Sequence, residues 1–524
     1  MEAARMEPAC IRHTDLPGTS RLYADFVYRF DRVARFYRHD PHRPESFEEA
    51  ARQIRYPDDR RAAMARALEQ QNGPSELLQR FAQPGTLAVV TGQQVGLFSG
   101  PAYTIYKAAT AVRLANELSA RGIPAVPIFW LATEDHDFPE VAHAWVFDQK
   151  RQPVRLDVAP PPGFNSRPHP VGGIPVAHFP VEDLHRALDG FPFADDVADA
   201  VRDAYRPGTT MGQGFRALLK TLLGRLHMLV LDPLDPAVRA IGAPFMAEAL
   251  SAAPELKAAL LERNREVASA GYHAQVHLEE KTSLFFLLEK GERVALRMKD
   301  SEFASLCPRA DQVSANALLR PVWQDYLLPT VAYAGGPAEL AYLAQSRVLY
   351  DRLLGRMPVV LSRCGFTLLD ERAAKLLQRF RMTLADTLVH QQLLHERIAR
   401  ALIPPGLTGK FEATSADFSA KLERLSGDVM AFDPTLGAAL NKGRAKILHQ
   451  VEKIRLKTER EALRRDARAS ADAAYLGGLL YPQRHLQERF YSILPFLAQH
   501  GMDLAERVYE STALDCPDHR VLTF

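Results

Sequence analysis

Four titratable side chains in succession, Glu134, Asp135, His136 and Asp137, end an apolar stretch that runs from Ala125 to Ala132. Such a string is costly to bury without partners. It joins carboxylates to the one side chain of the group that titrates near neutrality, His136. That combination suits proton transfer and the binding of a cationic group. A second set lies upstream, in Thr91-Gly92-Gln93-Gln94-Val95-Gly96-Leu97-Phe98-Ser99-Gly100-Pro101-Ala102-Tyr103-Thr104-Ile105-Tyr106-Lys107. Its glycines leave backbone N–H groups open to a ligand. Ser99 and Thr104 add hydroxyls, and Lys107 adds a cation one turn into the helix expected after Pro101. The positive end of that helix's dipole suits a phosphate or carboxylate. Neither GxxxxGK[ST] nor GxGxxG spacing is present, so the common phosphate-loop signatures do not apply.

These groups need a scaffold, and the flanking patterns predict one. The apolar run through Val89-Val90 and the run from Ala125 to Ala132 read as buried parallel strands. Between them, Tyr103 to Arg121 carries Ile105, Ala108, Val112, Ala115 and Leu118 at the spacing of one buried helical face, and Gly122 closes it as a C-cap. Strand, helix and strand make a right-handed crossover whose carboxyl ends lie side by side, where open α/β sheets bind ligands. Glu134 to Asp137 should then stand beside the Ser99–Gly100 turn. Further strands are expected at Leu226–Leu231, Leu327–Ala334 and Met357–Leu361.

The predicted fold is α/β, a doubly wound Rossmann-like core with two inserted connecting subdomains and a long antiparallel α-helical coiled-coil arm. The core takes residues 1–150, 206–271 and 319–369, and the insertions take 151–205 and 272–318. The arm takes 370–475, and residues 476–524 return to the core. Proline and glycine density from Pro160 to Gly163 and from Arg167 to Pro175 marks the first insertion. In the arm, Leu377, Leu384, Leu388, Leu394, Ile398 and Leu402 are expected along a first helix that ends at Pro404-Pro405. Leu440, Ile447, Val451 and Ile454 form the seam of the second.

A chain of 524 residues exceeds one ordinary core, and 47% hydrophobic with 24% charged residues is a soluble composition. A formal net charge of +2 gives no global case for nucleic acid or membrane. The basic excess between Lys442 and Arg468 reads as a solvated helix face. No apolar run is long enough to span a bilayer, and no signal-peptide pattern opens the chain. The scattered Cys10, Cys307, Cys364 and Cys516 show no metal-like pairing and fit a reducing cytoplasm. His273, His277 and Glu279 read as surface residues, so no tightly bound metal is expected.

TGQQVGLFSGPAYTIYKA, from Thr91, and VPIFWLATEDHDFPEVAH, from Val126, together resemble the bacillithiol-biosynthesis cysteine-adding enzymes. The likeness continues through Leu318 to Asp325 and Leu328 to Tyr342, and closes at Leu486-Gln487-Glu488-Arg489. The family's Gly-Gly-Pro-Gly-Glu reads Gly335-Gly336-Pro337-Ala338-Glu339 here, a change confined to a turn. The resemblance also implies a class I synthetase-like, nucleotidyltransferase-like core. The HIGH histidines and the KMSKS lysine of that class are absent, at Ser99-Gly100-Pro101-Ala102 and at Ser362 to Thr367.

The activity so implied is a ligase that joins the carboxyl of L-cysteine to the amine of glucosaminyl-malate. A free carboxylate is a poor electrophile, so it must be activated, with ATP and Mg²⁺ as the open candidate for the cofactor. The amine must be held unprotonated, and the oxyanion stabilised. On this reading His136 takes the amine proton or contacts the leaving group, with Asp137 or Asp135 orienting it or binding an ammonium. Gln93, Ser99, Gly100, Tyr103, Thr104, Lys107 and Glu134 contact substrate. Arg320, Gln324 and Asp325 form a malate or nucleotide clamp, for which a buried ion pair is the alternative. Tyr333, Gly335 and Gly336 lie at another strand end, and Gln487 and Arg489 close over the core against a nucleotide. Two other functions stay open: a nucleotidyltransferase acting on another small substrate, and a non-catalytic scaffold or RNA-binding protein on a synthetase-like core. The arm is expected to hold a homodimer.

Overall fold

The computed structural model describes residues 9–159, 168–279, 282–296 and 299–524. Five parallel strands form the central sheet: β1 (Leu87–Gln93), β2 (Ala125–Leu131), β3 (Leu229–Leu231), β4 (Thr330–Gly335) and β5 (Val359–Ser362). Their spatial order is β5-β4-β1-β2-β3. From β1 the chain winds outward through β2 to β3, and then returns to add β4 and β5 on the other side. β1 pairs with β2 in unbroken register from Leu87↔Ala125 to Gln93↔Leu131, while its pairing with β4 carries an irregularity between Thr330 and Ala332. Alternate residues of β1 and β2 enter different cores. Ala88, Val90, Val126 and Ile128 join one, and Val89, Ala125 and Phe129 join clusters on the other face. A sheet buried on both faces explains why its strands read as continuous apolar runs rather than alternating ones.

Helix α1 (Tyr103–Ala120) makes the β1–β2 crossover, and Gly122, at φ +82°, follows its end. Twelve of its eighteen residues are buried, more than a one-faced surface helix allows. The reason is a C-terminal layer that covers its outer side, with Phe366 against Tyr106 and Tyr509 against Asn116. That layer belongs to a three-stranded sheet in which His519–Thr523 pairs with both Ala9–Ile11 and Phe366–Leu369, tying the two ends of the described chain together.

The insertions carry small antiparallel elements. One is a hairpin, His143–Phe147 with Pro153–Asp157, which begins ahead of residue 150. The other joins Phe285–Glu289 to Glu292–Ala295 and Val313–Ala315. The Pro160–Gly163 turn and Arg167 lie outside the described residues.

The arm differs from expectation in two respects, the path of its first half and the place of Ile447 and Ile454, which lie outside the seam of its second half. Leu377, Leu384, Leu388, Leu394 and Ile398 do not share a long helix. They lie in or beside three short ones, Glu371–Arg379, Leu384–Thr387 and Gln391–Ala401, and pack into the core. Arg381 at φ +52° breaks the first join, and side-chain caps at Thr383 and His390 open the next two helices. Proline suits the first turn of a helix rather than its end, and Pro405 opens the arm's first long helix, α2 (Pro405–Phe432). After a turn through Pro434, α3 (Gly437–Arg465) runs back. On α3, Leu440, Leu448, Val451 and Arg455 are half-buried, whereas Ile447 and Ile454 face outward, 40% and 57% exposed. Arg455 pairs with Glu452 and Glu459, and Arg464 and Arg465 pair with Glu461, so the basic stripe is partly matched along its own helix.

Candidate functional site

Two hydrophobic strands that end side by side leave their last residues without a following strand to cover them. At the β1–β4 junction the connections diverge in opposite directions, and a cleft of about 360 Å³ opens there. Such a reversal of winding is where open α/β sheets bind ligands. Gln93 and Gln94 enter the cleft from β1, Ala132 and Asp135 from beyond β2, and Tyr333 and Gly336 from β4. Helix α4 (Arg320–Leu327), preceding β4, contributes Arg320 and Gln324, and helix α5 (Pro337–Leu353), following it, contributes Glu339 and Tyr342. Tyr103, Glu140, Arg363 and Arg489 complete the ring of polar groups.

Charge in the cleft is organised in layers. Glu339 accepts from the Tyr333 hydroxyl at 2.6 Å on Oε1 and from the Gly336 N–H at 2.7 Å on Oε2, and Lys107 Nζ lies 2.6 Å from that same Oε2. Lys107 itself is 2% exposed and also donates to Gln93 Oε1, whose amide donates to the Tyr103 hydroxyl. Burial pulls the Lys107 ammonium's pKa down against the opposing pull of Glu339. The lysine therefore fixes the floor of the cleft and has little room to reach a ligand. Arg363 is held by Glu488 through two bonds of 2.6 and 2.9 Å. Burial alone would raise the Glu488 carboxyl, but Arg363 outweighs it and sets the pKa at about 2.

Arg320 and Asp135 both line the cleft, and each favours the charged form of the other. Burial acts to lower the pKa of Arg320, but Tyr342, Asp135 and Tyr333 more than offset it and keep the guanidinium charged. For Asp135 burial acts upward, and the Gln94 amide at 2.7 Å, Arg320, the His136 N–H and Arg293 together hold the carboxyl below its ordinary range. Arg489 is exposed at the rim, and its side chain has no hydrogen-bond or ion-pair partner among the described residues.

A second chamber of about 290 Å³ adjoins the first and shares Gln93, Gln94, Tyr103, Glu140 and Arg489 with it. Its wall includes Gly96, Gly100, Trp145, His485 and Phe490, with Trp145 stacked on Phe490 at 4.7 Å. The turn here is conformationally costly: Phe98, Ser99 and Gly100 all have positive φ, at 52°, 73° and 64°. Only the glycine takes that region without strain. Tyr205 holds Phe98 in place through its hydroxyl and by edge-on ring packing at 5.3 Å.

The fold thus brings Gln93, Tyr103, Asp135, Arg320, Gln324, Tyr333, Gly336 and Arg489 to one cleft, with Lys107 beneath it and Gly100 in the adjoining chamber. Other candidates sit elsewhere. Glu134 is buried in an ion pair with Arg239. His136 leans outward, where its Nδ1 accepts from Arg293 at 2.9 Å. Burial and Arg293 lower its pKa, which leaves the ring neutral at physiological pH. Asp137 caps the short helix Phe138–Val141 and is exposed. Ser99 and Thr104 are sealed, with hydroxyls that find no partner among the described residues. Asp325 is fully buried, bonded by the Tyr350 hydroxyl at 2.6 Å, and Gly335 packs against Tyr333 and Leu340. Gln487 spans backbone groups of Leu368 and Leu479 and is 1% exposed. Its replacement by alanine should cost about 2–3 kcal/mol by stranding buried peptide groups, seen as an earlier denaturant midpoint with ligand affinity unchanged.

Glu339, Glu140, Tyr342, Gln94 and Arg363 were not singled out as site residues from sequence. Glu339 did carry a signal, since an acid three residues after Gly336 at a helix start is the position that bonds back to the N-cap, as it does here. Among the described residues no group of three or more His, Cys, Asp or Glu side chains stands close enough to hold a metal ion. No helix among them is long and apolar enough to cross a membrane.

A Rossmann-like α/β domain with a cleft of mixed charge at its switch point and a coiled-coil arm defines the class of protein. Its particular family follows from comparison. Residues 6–364 match the model for the BshC N-terminal Rossmann-like domain of bacillithiol biosynthesis, and residues 366–524 match that for the BshC C-terminal coiled-coil domain. The chain belongs to the BshC family. A relative from Solibacter usitatus named "Putative cysteine ligase BshC" is 51% identical over 99% of this chain and 100% of its own length. One of the same name from Koribacter versatilis is 34% identical, with 99% and 100% covered, and one from Salinibacter ruber is 31% identical, with 96% of each chain covered.

Proposed function

We propose that the chain is a ligase that joins the carboxyl of L-cysteine to the amine of glucosaminyl-malate, the amide-forming step of bacillithiol biosynthesis. The observation that carries this reading is that two guanidiniums lining the cleft, Arg320 and Arg489, belong to no ion pair among the described residues, beside the carboxylates of Asp135 and Glu140. Glu339 is matched by Lys107, and Arg363 by Glu488, which leaves Arg320 and Arg489 as the cations available to an anionic ligand. A dicarboxylate such as the malate end of the acceptor fits two separated guanidiniums, each able to donate in a fork. The names of the relatives supply the cysteine and the ligase chemistry.

Asp135 lines the same cleft as Arg320, where it receives the acceptor's amine. A carboxylate held below its ordinary range is a weak base for a free ammonium. It becomes an effective acceptor as the nitrogen gains positive charge during attack, when the N–H turns acidic. The tetrahedral oxyanion needs donors, and the Gln93 amide and the Tyr103 hydroxyl lie on the wall shared by the two chambers. Adjoining chambers suit a reaction of two substrates, because the carboxyl and the amine must meet at about 3–3.5 Å.

ATP with Mg²⁺, when bound, would supply the activation of the cysteine carboxyl. The residues that would hold such a group are Arg489, His485 and the Gly96–Gly100 turn ahead of α1, which line the second chamber. Gly96 has no room for a side chain, since an added Cβ would meet Gly100 Cα at 3.0 Å. In cells that lose the protein, glucosaminyl-malate should accumulate and the mature thiol should vanish. Normal levels of both would overturn the reading.

The arm supports a homodimer. Eight of the ten exposed large hydrophobic side chains among the described residues lie on it: Leu407, Phe418, Leu425, Met430, Phe432, Leu436, Ile447 and Ile454. Each contributes roughly 1.5–3 kcal/mol if fully buried, and a second copy of the arm offers the matching face by two-fold symmetry. Replacing Ile447 and Ile454 by glutamate should shift sedimentation from dimer to monomer with the far-ultraviolet spectrum retained. A wild-type monomer at micromolar concentration would refute the dimer.

A further inference from the structure

Cys10 and Cys516 stand near opposite ends of the chain, and spacing alone leaves them scattered. The fold brings their Sγ atoms to 3.6 Å. Cys10 lies exposed in the edge strand Ala9–Ile11, opposite Arg520. Cys516 is half-buried in the loop that leads into the strand His519–Thr523. The other two thiols are placed differently. Cys364 is buried and bonds to the Ala513 carbonyl, and Cys307 bonds to the Ala247 carbonyl. Two sulfurs in van der Waals contact need only a shift of about 1.5 Å to reach bonding distance, close to 2.05 Å. A three-residue edge strand and an irregular loop are the kinds of segment that move that far.

We propose that Cys10 and Cys516 form an oxidative modification site whose reactant is a low-molecular-weight disulfide. One cysteine thiolate attacks a sulfur of the small disulfide, forming a mixed disulfide and releasing one small thiol. The second cysteine then attacks the protein-bound sulfur, closing the Cys10–Cys516 bond and releasing the other small thiol. The protein loses two electrons and two protons, and the small disulfide gains both. Arg520 favours the thiolate of Cys10, whereas Asp518 and the Cys516 thiol oppose it. Burial is the largest influence, and together these raise the Cys10 thiol above its ordinary value, so the exchange quickens as pH rises.

The bond would staple the outermost strand to the layer behind the cleft. His519–Thr523 pairs with Phe366–Leu369, and the Phe366 N–H donates to Glu488, the partner of Arg363. On the same loop Asp518 accepts from the Tyr28 hydroxyl at 2.6 Å. A cross-link that closes so long a loop restricts the unfolded chain strongly and stabilises the folded one. None of this depends on the ligase reading.

The test uses the full chain, reduced with dithiothreitol, freed of reductant and treated with glutathione disulfide. The expected result is an intact mass lower by two hydrogens and a peptide cross-linked from Cys10 to Cys516. The melting temperature should rise by at least about 3 °C, and dithiothreitol should reverse it. Cys10→Ser should keep the melting temperature of the reduced protein and collect a glutathione adduct on Cys516. An unchanged wild-type mass, or separate adducts on the two cysteines with no cross-link, would overturn the proposal. A cross-link that leaves the melting temperature where it was would overturn the staple.

Discussion

Arg320→Ala should lower kcat/KM for ligation by about 100-fold or more, chiefly through a higher KM for glucosaminyl-malate. A charge-assisted bond from a guanidinium to a carboxylate, largely shielded from water, contributes roughly 2–4 kcal/mol, and about 2.7 kcal/mol is a hundredfold. Arg320 is half-buried, and Tyr342, Tyr333 and Asp135 keep it charged. Its loss also removes a cation that favours the ionised Asp135, so the effect on the cleft exceeds one missing bond. Arg320→Lys restores the charge without the fork and should recover part of the loss. Titration calorimetry with free malate separates the roles. A binding role predicts weaker malate binding in Arg320→Ala at an unchanged melting temperature, and unchanged binding with a lower melting temperature would make Arg320 structural.

Asp135→Asn should strike turnover instead. Removing a group that takes a proton in the transition state typically costs 10²–10⁴-fold, and here the loss should fall in kcat with little change in KM. The asparagine keeps the shape and can still meet Gln94. His136→Ala gives the contrast, because that ring leans away from the cleft against Arg293, and a change within about fivefold is expected, as for a surface group that only supports Asp135. The pH profile follows from the same geometry. Asp135 stays ionised at any pH above the ordinary carboxylate range, since its pKa lies below that range. The acid limb of the rate should therefore report the acceptor's amine and be unchanged in His136→Ala. An acid limb that disappears in His136→Ala would place the imidazole in the reaction.

The core was legible because burial on both faces writes an unbroken apolar run, and Gly122 marks a helix end on its own. The cleft was legible in outline, since the carboxyl ends of adjacent strands had to meet. Which of four consecutive titratable residues turns inward was not. That depends on Arg239, which pairs with Glu134 in the core, and on Arg293, which holds the imidazole of His136, both from segments remote in sequence. Arg363 likewise gains its place only through Glu488, 125 residues later. The leucines after Leu377 have helical spacing whether they line one long helix or three short ones, and only the caps at Thr383 and His390 decide between these. The approach of Cys10 to Cys516 is set by a strand pairing between opposite ends of the chain, and no local pattern carries it.

The most direct test incubates the purified chain with L-cysteine, glucosaminyl-malate and ATP with Mg²⁺ and follows the mixture by mass spectrometry. A new species equal to the two substrates less one water should form in proportion to protein. It should be abolished in Asp135→Asn and restored by raised acceptor concentration in Arg320→Ala. Recovery of both substrates unchanged from the folded wild-type protein would contradict the ligase reading.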